Sequence, residues 1–190
     1  MSPVIFIGAS AGGVSALQTI LEILPKDFSL PIVVVQHFPP TAEFNQCLIY
    51  GRYFHGPVHE ALDKTPVVNG ALYMASGDYH LLIEEDRTLS LSQDEPIYFS
   101  RPSIDALFES AATSLGADAC AVLLTGASPD GARGIKLVKE CGGMTIVQNP
   151  KEAEAKLMPQ SALDIMEPDF VLNLKDIGRK LAMLSQERSK

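Results

Sequence analysis

Two short apolar runs near the amino terminus, residues 3–8 (PVIFIG) and residues 31–37 (PIVVVQH), constrain the fold more than any other feature. Each is rich in β-branched residues and lacks polar alternation, the pattern of a parallel strand covered on both faces. Between them Val14, Leu17, Ile20, Leu21 and Leu24 recur at helical spacing, and Pro25 closes the helix. Strand, helix and strand within 37 residues make a βαβ unit, whose crossover is expected to be right-handed. A chain that starts this way needs helices on both faces of its sheet.

The same rhythm returns later. Residues 41–52, with Phe44, Leu48 and Ile49, read as a second helix entered after Pro39-Pro40. Residues 103–116 form a helix with Ser103 as N-cap and Gly116 just past its end. A third buried strand follows at 119–126 (ACAVLLTG), then a helix ending at Gly142-Gly143 and a fourth strand at 144–149 (MTIVQN). A helix with Pro159 near its start, a short strand (FVLNL) and a carboxyl-terminal helix complete the chain. Residues 56–99 differ: short alternating runs and turn signals at Asn69-Gly70, Gly77-Asp78 and Asp86-Arg87 indicate strands joined by hairpins, an excursion from or extension of the main sheet. The expected fold is α/β, a single doubly wound and mainly parallel sheet flanked by helices, with one domain over residues 1–190.

Composition narrows the function classes. A net charge of −8 and the lack of a basic cluster exclude a phosphate-tracking surface, so no nucleic-acid partner is expected. Cys47, Cys120 and Cys141 have no C-x-x-C spacing and read as reduced thiols. No run approaches the ~18 apolar residues of a membrane span, and the amino terminus lacks a signal-peptide pattern. The expectation is a cytoplasmic chain without membrane insertion.

The chemistry concentrates on the first βα turn, GASAGG at residues 8–13. Gly8-Ala9-Ser10-Ala11-Gly12 matches G-x-S-x-G, with glycines that let the backbone turn and leave the Ser10 hydroxyl exposed at the sheet's carboxyl edge. The following helix points its N–H groups at the same place, which favours developing negative charge. Taken alone, the turn suits a nucleophile or a nucleotide-binding loop equally well. The dinucleotide fingerprint is absent, because Ser10 stands where its second glycine belongs, and no P-loop lysine follows.

His37 shifts that balance. It ends the second strand, beside Ser10 in the simplest βαβ arrangement, where a general base is needed. His55, His59 and His80 fall in the hairpin region and read as surface or structural. Asp130, in the turn after the third buried strand, is the candidate carboxylate that orients the imidazole, a role compatible with capping the next helix. Asp105, inside a helix, and Asp78, in a hairpin turn, are less well placed. Ser10, His37 and Asp130 follow the order Ser, His, Asp, unlike the Ser, Asp/Glu, His order of α/β-hydrolases.

At this point the chain resembles the catalytic domain of chemotaxis protein-glutamate methylesterases. The resemblance rests on six blocks in order: IGASAGG, VVVQHFPP, ALYMASGDYHL, RPSIDALFESAA, LLTGASPDGARGIK and VQNPKEAEAKLMPQSAL. It implies a Ser-His-Asp triad on Ser10, His37 and Asp130, and hydrolysis of glutamyl methyl esters on cytoplasmic chemoreceptor helices, with deamidation of glutamines in many members. It implies no cofactor and no metal. The chain opens at the first strand, which, with Met1, suggests a stand-alone member without the receiver domain that many relatives carry.

Three departures bear on the rim of the site. Ala11 stands where the family usually has threonine, and Gly126-Ala127-Ser128-Pro129-Asp130-Gly131 replaces Gly-Met-Gly-Asn-Asp-Gly. Leu157-Met158-Pro159 replaces Gly-Met-Pro. These changes leave two other readings: a serine esterase or amidase on another substrate, and a non-catalytic receptor-binding module.

Overall fold

The computed structural model describes residues 2–38 and 45–187. Its elements run β1 (Val4–Ala9), α1 (Gly13–Leu21), β2 (Ile32–Gln36), α2 (Gln46–Tyr50), β3 (Val58–Glu60), β4 (Leu72–Met74), β5 (His80–Ile83) and β6 (Leu89–Ser92). They continue with α3 (Ile104–Leu115), β7 (Ala119–Leu123), α4 (Ala132–Glu140), β8 (Met144–Gln148), α5 (Leu157–Leu163), β9 (Phe170–Leu172) and α6 (Leu174–Glu187). Seven strands form one sheet in the order β3-β4-β2-β1-β7-β8-β9, and every pairing in it is parallel.

Strand pleating sorts the core into two layers. Val4 and Phe6 of β1, with Val33 and Val35 of β2, face α3, α4, α5 and the β5–β6 hairpin. Ile5, Ile7 and Ala9, with Ile32 and Val34, face α1, α6, Tyr50 and Phe54. These strands are covered on both sides, so their sequences carry no polar alternation.

The chain leaves β1 through α1 on one face and leaves β7 through α4 on the other. β1 and β7 are neighbours in register, with Ile7 opposite Val122 and Gly8 opposite Leu123. Their exits therefore diverge, which opens a crevice beyond their carboxyl ends. The turn bearing Ser10 and the loop bearing Asp130 both start there.

The doubly wound sheet and its helices are as the sequence indicates. Residues 56–99 divide between the two arrangements expected of them. β5 and β6 form the antiparallel hairpin, closed through Asp86-Arg87, with Leu81 opposite Leu91. β3 and β4 instead extend the main sheet and pair in parallel, so the Asn69-Gly70 turn precedes β4 without joining antiparallel neighbours. The helix expected over 41–52 is the short α2, capped by Asn45, which accepts the Leu48 N–H at 3.0 Å; the portion at 41–44, including Phe44, lies outside the described residues.

Two features set α3 against the sheet. Gly8 faces the start of α3, and a Cβ there would run into the Ile104 side chain, 3.2 Å from its Cδ1 and closer still to its Cγ2. In the first turn of α3, the buried Asp105 accepts the Gly134 N–H at 2.7 Å and lies 3.4 Å from the Arg133 Nε, which ties the helix to α4. Burial pushes its carboxyl up to about 6, and the neighbouring Asp130 charge adds to this, against the Gly134 hydrogen bond and the Arg133 charge.

Gly8→Ala is therefore expected to cost about 1–3 kcal/mol by overpacking. Adding Ile104→Leu, which lacks the γ2 methyl, should recover part of the loss in thermal denaturation. Asp105 carries a second prediction. Its folded value exceeds the unfolded one, so the unfolded chain ionises first and stability falls as pH rises from about 4 to 6. The penalty above that window is about 3 kcal/mol, taking ~1.4 kcal/mol per pH unit. Asp105→Asn should raise the melting temperature more at pH 7.5 than at pH 4.5, and an equal change at both pH values would contradict the assignment.

Candidate active site

Ser10 follows β1 directly. Its N–H donates to the Thr125 carbonyl at 2.9 Å, which stitches the turn to the loop after β7. The turn then closes with the Gly13 N–H on the Ser10 carbonyl at 2.7 Å. The left-handed residue is Gly12, at φ +77°, where a side chain would also meet Glu154. Ser10 itself does not have positive φ, so the turn differs from a strained nucleophile elbow; glycine carries the unusual conformation. Neither the Ser10 hydroxyl nor the Ala11 and Gly12 N–H groups make a hydrogen bond to a described residue.

His37 follows β2, with its N–H on the Ala9 carbonyl at 3.0 Å. Ala9 and Gln36 are register partners, so Ser10 and His37 leave adjacent strands side by side. The nearly buried Gln36 amide supports both, donating to the Ser10 carbonyl at 2.9 Å and the His37 carbonyl at 3.2 Å. The His37 Nε2 lies 3.0 Å from the Asp130 Oδ2, an ion-pair distance with the ring N–H directed off the line to the oxygen. Its Nδ1 has no partner among the described residues.

Asp130 is buried at the amino terminus of α3. Oδ1 accepts the Ser103 hydroxyl at 2.8 Å and the Asp105 N–H at 2.9 Å, and Oδ2 accepts the Ile104 N–H at 2.7 Å. Burial alone would raise its carboxyl. The His37 imidazole, the two backbone N–H groups and the Ser103 hydroxyl outweigh that and hold it below the ordinary carboxylate range. The helix dipole favours the same charge. Behind this cluster, His80 Nδ1 accepts the Ser103 N–H at 3.1 Å, which places its proton on Nε2, facing the Glu95 carbonyl at 3.1 Å.

A second set of bonds ties the surrounding loops together. The Thr125 hydroxyl donates to the Ala11 carbonyl and accepts the Ala155 N–H, each at 2.9 Å. The Thr125 N–H donates to the buried Gln148 Oε1 at 2.8 Å, and Gly126 and Ala155 share a backbone bond at 2.9 Å. Met158 packs against Gly126 beside the Ser10 Cβ. Ala11, Ala127, Glu154 and Leu157 lie exposed around this frame.

The structure thus brings Ser10, His37 and Asp130 to one edge and pairs the last two. Asp105 points away into the α3–α4 contact, and Asp78 lies in the turn before β5. His55 and His59 are exposed, whereas His80 is buried and structural rather than at the surface. Sequence reasoning missed Gln36, Gln148 and Thr125 as positioning groups. Their signal was a polar residue closing each buried apolar run, VVVQ, TIVQ and LLT. Among the described residues no group of three His, Cys, Asp or Glu side chains could hold a metal ion.

Comparison with known proteins agrees on one family. The profile described as CheB methylesterase matches residues 5–181. A Leptospira interrogans protein named "Putative protein-glutamate methylesterase/protein-glutamine glutaminase" is 44% identical over 182 residues, covering 96% of this chain and 94% of that protein. A Rhodospirillum rubrum protein-glutamate methylesterase/protein-glutamine glutaminase is 37% identical over 190 residues, and there the match covers 97% of this chain but only 49% of the relative. The crystal structure of the Thermotoga maritima CheB methylesterase catalytic domain superposes with a TM-score of 0.91 at 33% identity, covering 97% of this chain and 99% of that one. The chain belongs to the CheB methylesterase family.

Proposed function

We propose that residues 1–190 form one catalytic domain that hydrolyses glutamyl methyl esters on a chemoreceptor, and deamidates glutamines there, through Ser10, His37 and Asp130. The observation that carries this reading is the His37–Asp130 contact, set beside Ser10 on adjacent strand ends in a member of this family.

Ser10 Oγ attacks the ester carbonyl while His37 takes its proton. Because Nε2 faces Asp130, the accepting atom is Nδ1, so the ring is used in the reverse sense of the familiar triad, in which the carboxylate holds Nδ1. The oxyanion is held by the N–H groups of Ala11 and Gly12, which have no partner among the described residues; the Ser10 N–H is already committed to Thr125. The imidazolium then protonates the departing methoxide, methanol leaves, and a glutamyl-enzyme remains. Water attacks this ester with His37 again as base, which releases glutamate and restores Ser10. With a glutamine substrate the first leaving group is ammonia. Asp130 stabilises the imidazolium without taking its proton.

Ser10→Ala should abolish methanol release from a methylated receptor domain and labelling by a fluorophosphonate probe, while the melting temperature stays near that of the parent. Unchanged turnover in this variant would overturn the assignment. Asp130→Asn is expected to lower kcat on the order of 10⁴-fold. It should also destabilise the fold, and the sign follows from the lowered carboxyl value. The contribution of Asp130 is present above the unfolded value near ~4 and is lost as pH falls through its folded value. The stability gap between Asp130→Asn and the parent should therefore be wide at pH 7 and narrow under acid.

A further inference from the structure

The chain makes a two-residue hairpin turn from aromatic residues. Ile97 and Ser100 pair across it, with the Ile97 N–H on the Ser100 carbonyl at 3.1 Å and the Ser100 N–H on the Ile97 carbonyl at 2.8 Å. The two residues between them, Tyr98 and Phe99, have φ of +48° and +61°. Turns with both central residues left-handed favour Asn-Gly and disfavour side chains of this size. Packing does not account for Phe99, which is fully exposed, and Tyr98 is 44% exposed beside it. A left-handed backbone here displays the whole Phe99 ring and part of Tyr98 to solvent.

The turn is braced to the active site. The Arg101 guanidinium holds the Gln93 and Asp94 carbonyls at 3.2 Å each, and the His80 Nε2 holds Glu95 at 3.1 Å. The same His80 receives the Ser103 N–H, and Ser103 donates to Asp130. Phe99 is four residues from Ser103, so the tip stands within about 14 Å of it along the chain.

We propose that Tyr98 and Phe99 are specificity-determining residues that grip an apolar patch on the protein bearing the ester, beside the modified side chain. The inference rests on the methylesterase reading. Aromatic rings supply large contact area at small entropic cost and dominate protein recognition.

The test is the double variant Tyr98→Asn/Phe99→Gly, which installs the favoured turn residues and so should raise the melting temperature. On a methylated receptor domain, kcat/KM should fall at least tenfold through KM, and the ratio of receptor to p-nitrophenyl acetate turnover should fall with it. An unchanged ratio overturns this inference alone, as does a change confined to the oligomeric state in sedimentation. If the parent chain itself releases no methanol from the receptor domain, the methylesterase reading fails and takes the inference with it.

Discussion

The carboxylate of Asp130 gathers the amino terminus of α3 and the imidazole of His37 onto one buried pair of oxygens. Most of the molecule's functional edge depends on that convergence. An isolated carboxylate buried here would be costly to keep ionised. Two backbone N–H groups, a hydroxyl and the helix dipole make the charge tolerable before the histidine is considered. The same bonds fix where α3 begins. The absence of a side chain at Gly8 then lets that helix end lie close over the sheet, and His80 supports it from behind.

The topology makes this convergence possible. Helices leave β1 and β7 toward opposite faces, so the carboxyl ends of these neighbours open onto a crevice instead of being covered. Ser10, His37 and Asp130 follow three strands that are adjacent in the sheet, β1, β2 and β7. Residues far apart in the chain thus meet without any long loop having to fold over. Strand register sets the Ser10–His37 separation, whereas α3 sets the position of Asp130.

Much of this was legible in the sequence. The buried runs at 3–8 and 31–37, the helical spacing between them and the Ser103 and Gly116 helix ends all report local physics, and the structure follows them. The three proposed catalytic residues were visible because each follows an apolar strand, so its position at the edge could be inferred. The pairing partners of β3 and β4 were not legible. Three-residue strands read alike whether they join a hairpin or extend a parallel sheet, and long-range pairing decides. Nor could local pattern separate His80 from His55 and His59. What distinguishes it is a bond to Ser103, 23 residues away. The same is true of Asp105, whose environment comes from a helix that the sequence places later.

Thr125 has a consequence of its own. One hydroxyl bonds the Ala11 carbonyl on one side and the Ala155 N–H on the other, while the residue's backbone carbonyl receives the Ser10 N–H and its own N–H reaches Gln148. Three loops are thereby fastened by their main chains to Thr125, independently of the side chains they display outward. Ala11, Ala127 and Leu157 can differ from the pattern of the resemblance because none of these fastenings uses their side chains. The scaffold and the face it shows are mechanically separate parts. A lineage can therefore recut the outer surface for a new target without retooling the machinery underneath.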